Sequence, residues 1–277
     1  MGKEKVNTSN ATYQKFEVLK SNRNKRYKYK EFLVEGVRNI KEAIYKGWNI
    51  KSFLYSDEKS LSDWAKEVIA TTPTEKNYEL TDILMKNLSG KEDTSEIMAI
   101  IAMRDDNLEA LKLSDNPLVA LFDRPSNKGN LGTVIRSCDA LGVECLVITG
   151  HAVDLYDPEV IVASMGSFFN MKVIRVPENK MVVDFIDSMK KRYPTFKAIG
   201  TTAHKEHAIY DLDLSGPLMF MIGNETDGLS YSFTECCDVL TTIPMAESSY
   251  ATSFNVGCAA TVMFYEAKRQ RHLFFGE

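Results

Sequence analysis

The residues with the most chemical content fall in three short runs. Gly129-Asn130-Leu131-Gly132 is followed by Arg136, six positions after Asn130. The glycines permit a sharp turn into a helix whose first backbone N–H groups are bare, and Asn130 is placed near the N-cap. Arg136 then comes about 120 degrees further round the helix. A guanidinium there suits a bidentate grip on a phosphate; the alternative is an ion pair with a helix-surface acid such as Asp139. In the second run, Gly223-Asn224-Glu225-Thr226-Asp227-Gly228, Glu225 either fixes Arg136 or a backbone donor, or stands as a bare loop carboxylate. In the third, Ser253 and Asn255 enter the last long helix, where such residues cap a helix or reach a ligand.

Several common chemistries are excluded by what these runs lack. No G-x-G-x-x-G follows a strand, so the dinucleotide fingerprint is missing. The Gly223–Gly228 loop has P-loop spacing but continues with Leu229-Ser230 instead of Lys-Ser/Thr, and its two acids repel phosphate. A neutral or cationic ligand fits it better. His204 and His207 have no third partner nearby in sequence, so no metal is expected. No G-x-S-x-G elbow is present, and no cysteine has an obvious histidine partner.

These runs must be held by a sheet. Apolar stretches at Leu118–Phe122, Cys145–Ile148, Met171–Val176, Phe196–Gly200, Leu218–Ile222 and Val239–Ile243 alternate with helix-length segments such as Leu131–Leu141, Met181–Arg192 and Asn255–His272. Continuous apolar strands between helices predict an α/β fold, a mostly parallel sheet covered on both faces, with ligands beyond the carboxyl ends of its strands. Ahead of it, Phe32–Val34, Val37–Tyr45, Ile50–Tyr55 and Ile97–Ala102 read as a smaller α/β unit. The polar passage ending at Pro117 marks the boundary, giving domains 1–107 and 117–277.

With 277 residues there is room for two cores. The net charge of −4 hides an uneven distribution: residues 1–51 hold 13 Lys/Arg against 5 Glu, leaving 21 against 33 beyond. Within this basic leader Arg23, Lys25, Arg26 and Lys28 interleave with Tyr27 and Tyr29. That pattern suits phosphate contact with base stacking, or else a solvated lysine-rich face. The five cysteines, an odd number without a C-x-x-C pair, read as reduced, buried thiols; with no long apolar run or export leader, a cytoplasmic, non-membrane location is expected.

In order, spacing and residue type, the three runs resemble the signature motifs of the SpoU/TrmH branch of the SPOUT RNA methyltransferases. Phe32-Leu33-Val34-Glu35-Gly36 and Leu84–Ser89 resemble the ribosomal-protein-like RNA-binding domain that often precedes them, although Ser95-Glu96-Ile97 stands where a glycine is frequent. The third run departs from the common form at Phe254 and Gly257, where leucine and serine are usual.

The resemblance implies a trefoil-knotted catalytic domain, a homodimer, and S-adenosyl-L-methionine as cofactor. The implied reaction is methyl transfer to a ribose 2′-hydroxyl in structured RNA, with ribosomal RNA favoured over tRNA because a separate front domain supplies an added platform. The alternatives are a tRNA 2′-O-methyltransferase or a non-catalytic RNA-binding or ribosome-assembly protein. By the same resemblance Arg136, Asn130, Glu225, Ser253 and Asn255 form the catalytic set, with Arg136 also touching RNA. Thr201, Gly223, Asn224, Ile243, Met245 and Ser253 hold the cofactor.

Overall fold

The computed structural model describes residues 2–204 and 206–275, which form two compact units. The first, Met1–Asp105 with Asp154–Asn170, opens with β1 (Gly2–Val6), α1 (Ala11–Ser21), α2 (Arg23–Tyr29), β2 (Glu31–Glu35) and α3 (Val37–Tyr45). It continues through β3 (Ile50–Ser56), α4 (Asp63–Thr71), β4 (Lys76–Leu80), α5 (Asp82–Ser89) and β5 (Ile97–Ala102). The sheet order is β1-β4-β3-β5-β2, with β5 antiparallel to both neighbours and the rest parallel. Side chains accept from the bare N–H groups at four helix starts: Asn10 for α1, Asn22 for α2, Ser62 for α4 and Thr81 for α5. The basic leader is therefore folded, and Tyr13, Phe16 and Leu19 of α1 bury against Leu33, Leu54 and Leu80 of the sheet.

The second unit, Asp106–Val153 with Met171–Glu277, contains β6 (Leu118–Asp123), α6 (Lys128–Leu141) and β7 (Cys145–Thr149). The chain then contributes α7 (Pro158–Ala163) and α8 (Ser167–Asn170) to the first unit. It resumes with β8 (Val173–Val176), α9 (Asn179–Arg192), β9 (Lys197–Thr201), β10 (His207–Ala208), β11 (Leu218–Ile222), α10 (Tyr231–Thr234), β12 (Val239–Thr242) and α11 (Val256–Phe275). All seven strands are parallel, in the order β10-β12-β9-β11-β6-β7-β8. Late strands enter between early ones, since β11 lies between β6 and β9.

Both faces of this sheet are covered, as the continuous apolar strands require. Along β11, Met219 and Met221 meet Val182 and Ile186 of α9, while Phe220 faces the other way against Phe264 of α11, with ring centroids 6.1 Å apart. The passage expected to separate the domains instead belongs to this unit. Leu108, Leu111 and Leu113 pack on its core, and the Tyr193 hydroxyl donates to the Ser114 carbonyl. Near the end of α11, Arg271 donates to the carbonyls of Asn116, Pro117, Leu214 and Gly216, which ties the helix to the amino ends of β6 and β11.

Residues 154–170, placed by sequence with the second domain, build part of the first unit's core. Phe32, Trp48, Tyr156, Phe168 and Phe169 form a cluster of edge-to-face and tilted rings, and the Trp48 indole N–H donates to the Phe169 carbonyl at 2.9 Å.

The same segment corrects the expectation for Arg26. Its side chain is only 2% exposed, and its guanidinium meets Asp154 Oδ2 at 2.6–2.7 Å and donates to the Leu19 and Lys20 carbonyls. Every part of that fork is engaged inside the protein, so Arg26 is a buried structural cation rather than an RNA contact. Arg23, Lys28 and Tyr29 remain exposed on the same short helix, and Lys25 is half-buried. Among the cysteines, Cys138 and Cys145 are buried, and burial pushes the Cys145 thiol up to about 12. Cys258 lies exposed on α11, against the expectation of buried thiols throughout.

Candidate active site

The site is built where loops leave the carboxyl ends of β6, β9, β11 and β12. The first loop enters α6 one turn earlier than the glycine pattern suggests. Asn127, not Asn130, is the N-cap, and its side chain accepts from the Asn130 N–H at 2.9 Å. That frees the Asn130 amide for another task.

Its partner comes from the loop after β11. Glu225 accepts from the Ser126 hydroxyl at 2.7 Å, the Ser126 N–H at 2.9 Å, the Asn127 N–H at 3.1 Å and the Asn130 side-chain amide at 3.1 Å. Of the readings left open for Glu225, the structure supports the fixing of backbone donors. Burial works to raise its pKa, but the hydrogen bonds from Ser126 and Asn130 outweigh it and hold the carboxyl below its ordinary range.

Asn255 completes a relay across all three motifs. Its side-chain amide donates to Asn130 Oδ1 at 3.0 Å, while its own Oδ1 accepts from the N–H groups of Gly257 and Cys258 at the start of α11. Capping and site assembly, alternatives in the sequence, are here performed by one side chain. Gly257 is needed for this approach, because a Cβ there would lie 2.9 Å from Thr133 Cγ2 on α6. Further along the same seam the Ser137 and Thr261 hydroxyls share a hydrogen bond at 2.6 Å.

Beside the relay lies a cavity of about 750 Å³. Its lining includes Asn130, Thr201, Gly223, Asn224, Glu225, Ile243, Met245, Ser253 and Asn255, so the structure brings together every sequence-derived site residue of the second unit except Arg136. Leu229, Leu240, Val256 and Met263 supply apolar wall. Glu225 and Asp227 supply negative charge, and among the described residues no Lys or Arg lines it. Thr201 Oγ1 accepts from the Gly223 N–H at 3.3 Å, joining β9 to the loop after β11. Gly223 is demanded by packing: a Cβ there would fall 2.4 Å from the Gly228 carbonyl carbon. The Asn224 side chain is spent on the loop itself, donating to the Arg124 carbonyl and accepting from the Thr226 and Asp227 N–H groups. Arg136 is exposed on α6, outside the lining, and no hydrogen bond or ion pair holds it among the described residues.

The comparisons with known proteins agree with this geometry. A model of the SpoU rRNA Methylase family matches residues 117–265, more than half of the chain, and one of the SpoU L30e-like domain matches residues 10–99. The chain belongs to the SpoU rRNA methylase family. Within the SpoU family, it is 39% identical over 267 residues to the 23S rRNA (uridine(2479)-2′-O)-methyltransferase of Streptomyces viridochromogenes, covering 96% of this chain and 92% of that one. It is 25% identical over 243 residues to the 23S rRNA (guanosine(2553)-2′-O)-methyltransferase RlmP of Bacillus subtilis, covering 88% and 90%. Among solved structures, the SpoU methyltransferase AviRb from Streptomyces viridochromogenes in complex with AdoMet superposes with a TM-score of 0.88 at 38% identity, covering 95% of this chain and 98% of that one.

Ser126 and Asn127 are the participants that reading the SpoU motifs did not single out. The local signal for Asn127 was its place three residues ahead of Asn130, the spacing of an N-cap to the backbone donor it satisfies. Nothing local marks Ser126, whose partner lies 99 residues away.

The pH response of Glu225 follows from its partners. A carboxyl whose folded pKa is lowered stabilises the fold above its ordinary range and loses that contribution as pH falls through the lowered value. Glu225→Gln should therefore cost about 1 kcal/mol at neutral pH, with allowance for solvent screening at this half-exposed group, and the difference should vanish in acid. Urea unfolding of both proteins across a pH series reads this directly.

Proposed function

We propose that the cavity beside the Glu225–Asn130–Asn255 relay binds S-adenosyl-L-methionine and that this enzyme methylates the 2′-hydroxyl of a ribose in ribosomal RNA. The observation that carries the reading is one lined space, at the carboxyl ends of β9, β11 and β12, into which all three motifs converge. Its chemistry fits the cofactor. A sulfonium compound with an amino group is compatible with two carboxylates and an apolar wall, and incompatible with the lysine-lined loops that phosphates require.

When bound, S-adenosyl-L-methionine supplies an electrophilic methyl group. The chain's own residues do the rest. The backbone of Gly223, Ile243 and Met245 grips the adenosyl part, with Thr201 fixing Gly223 from the neighbouring strand. Asn224 shapes the loop through its side-chain amide and offers the cofactor only its backbone. The Ser253 hydroxyl stands on the cavity wall without a partner among the described residues, ready for the cofactor or the ribose. Asn130, Glu225 and Asn255 position the loops. Arg136, whose guanidinium offers donors and no acceptor, clamps an RNA phosphate and stabilises the developing 2′-alkoxide, and the RNA phosphate accepts the hydroxyl proton.

Cations on α2 supply a sequence-independent hold on RNA, with Arg23, Lys25 and Lys28 as contacts. Lys25→Ala and Lys28→Ala should each weaken binding to all RNA sequences alike and reduce the slope of log K against log salt by about 0.7 to 0.9. Filter binding over a salt series measures it. An unchanged slope would remove those lysines from the interface.

Dimerisation through α6 and α11 is part of the reading. Their packed pair leaves Val262 and Tyr265 exposed in a single chain, Phe254 is exposed just ahead of α11, and Arg136 lies on the same helix pair. Light scattering of the purified protein tests it. Free thiols and a ribosomal substrate support a cytoplasmic location.

The decisive experiment is transfer of a tritiated methyl group to total ribosomal RNA and, separately, total tRNA, beside calorimetry with S-adenosyl-L-methionine. Label should enter ribosomal RNA as a ribose methylation. No cofactor binding at micromolar protein together with no label in either RNA would sink the assignment. Label in tRNA alone would transfer it to the tRNA class.

A further inference from the structure

Asp123, the last residue of β6, is fully buried beneath the loop that follows β11, and Arg124 after it has a φ of +50°. A left-handed conformation at a residue with a long side chain is uncommon and is retained where surrounding contacts over-determine it. Here they do. Asp123 Oδ1 accepts from the Thr149 hydroxyl at 2.7 Å, and Oδ2 accepts from the Ser230 N–H at 2.8 Å and from Arg124 Nε and Nη2 at 3.2 and 3.1 Å. Arg124 Nη2 also donates to the Gly228 carbonyl at 3.1 Å, and the Arg124 carbonyl accepts from the Asn224 side-chain amide at 2.7 Å. Gly150, at the end of the neighbouring β7, leaves room for this side chain, since a Cβ there would lie 2.6 Å from Arg124 Cγ.

The loop 223–230 is thus pinned by hydrogen bonds to one corner at Asn224, Gly228 and Ser230, and an Arg124–Asp227 ion pair at 3.8 Å adds a further contact. Between the first two pins the loop presents Glu225 to Ser126, Asn127 and Asn130. Arg124 does not line the cavity. It acts through the loop that does.

We propose that Arg124 is a positioning residue for cofactor binding: its left-handed backbone and its guanidinium fork together set where the 223–230 loop stands over the cavity. The inference rests on the reading of that cavity as the S-adenosyl-L-methionine site. Two substitutions separate the parts. Arg124→Lys keeps a cation on buried Asp123 but cannot fork to the Gly228 carbonyl as well, whereas Arg124→Gly keeps the left-handed corner and removes the guanidinium.

In both variants the Kd and KM for S-adenosyl-L-methionine should rise about tenfold or more, the loss expected when a charge-assisted hydrogen bond is removed, with RNA affinity within about twofold of wild type. Free guanidinium, well below denaturing concentration, should restore part of the cofactor affinity of Arg124→Gly and none in wild type. Hydrogen exchange at Asn224–Ser230 reads the loop without any cofactor and should be faster in both variants. Cofactor affinity and loop exchange equal to wild type would overturn the proposal, as would a parallel fall in RNA affinity, which marks a general loss of fold. If wild type binds no cofactor, the reading of the cavity fails, and loop exchange alone then decides whether Arg124 positions the loop.

Discussion

Arg136→Ala should lower kcat/KM for methyl transfer about 10³-fold while leaving S-adenosyl-L-methionine affinity and thermal stability unchanged. The size is that of removing one preorganised charge donor from a developing oxyanion. The stability half of the expectation comes from the structure: the side chain is exposed, and no hydrogen bond or ion pair ties it down among the described residues, so its loss orphans nothing. The cofactor half follows because Arg136 stands outside the cavity lining. Single-turnover methylation, calorimetry and a thermal melt on one preparation test all three. Retention of full transfer would remove Arg136 from the catalytic set. Weakened cofactor binding would show that Arg136 belongs to the cavity and not to the RNA.

Arg26→Ala should destabilise the protein by about 3 to 5 kcal/mol, the cost of removing one partner from a buried ion pair. Asp154, 5% exposed, would keep the Tyr27 hydroxyl and the Tyr156 N–H as donors and lose the one cation paired with it among the described residues. The Leu19 and Lys20 carbonyls would lose their donor as well. Because these contacts hold the 154–170 segment in the first unit, the loss should appear as a lower urea midpoint rather than as a weaker salt dependence of RNA binding. A cost below about 1 kcal/mol would mean that Asp154 finds water or another donor. A changed salt slope in a folded Arg26→Ala protein would restore Arg26 to the RNA surface. The contrast with Lys25 and Lys28, one and two positions away, makes the test sharp: neighbours on one short helix should report on different properties.

Arg26 also shows why the basic leader was only partly legible. A run of cations carries no mark distinguishing the one that turns inward. That choice was made by Asp154, 128 residues further on. Asn130 is a milder case. The glycine pattern located the helix start to within one turn, but the cap passed to Asn127, and with it the meaning of Asn130 changed from closing a helix to bridging two loops. Glu225 was singled out by its match to the second SpoU motif, while its partners, Ser126, Asn127 and Asn130, became visible only in three dimensions.

What the sequence determined by itself was the parallel sheet, its covering helices and the order of the three motifs. Apolar runs and glycine or asparagine at turns are local constraints, enforced by burial and by backbone sterics within a few residues. Tertiary structure decided which groups meet. The relay joins residues 95 and 125 positions apart, the Arg26 pair spans 128, and a segment between β7 and β8 completes the other unit's core. Such pairings depend on the path of the chain and on which polar groups must be satisfied once water is excluded, and neither is written in any short run of residues.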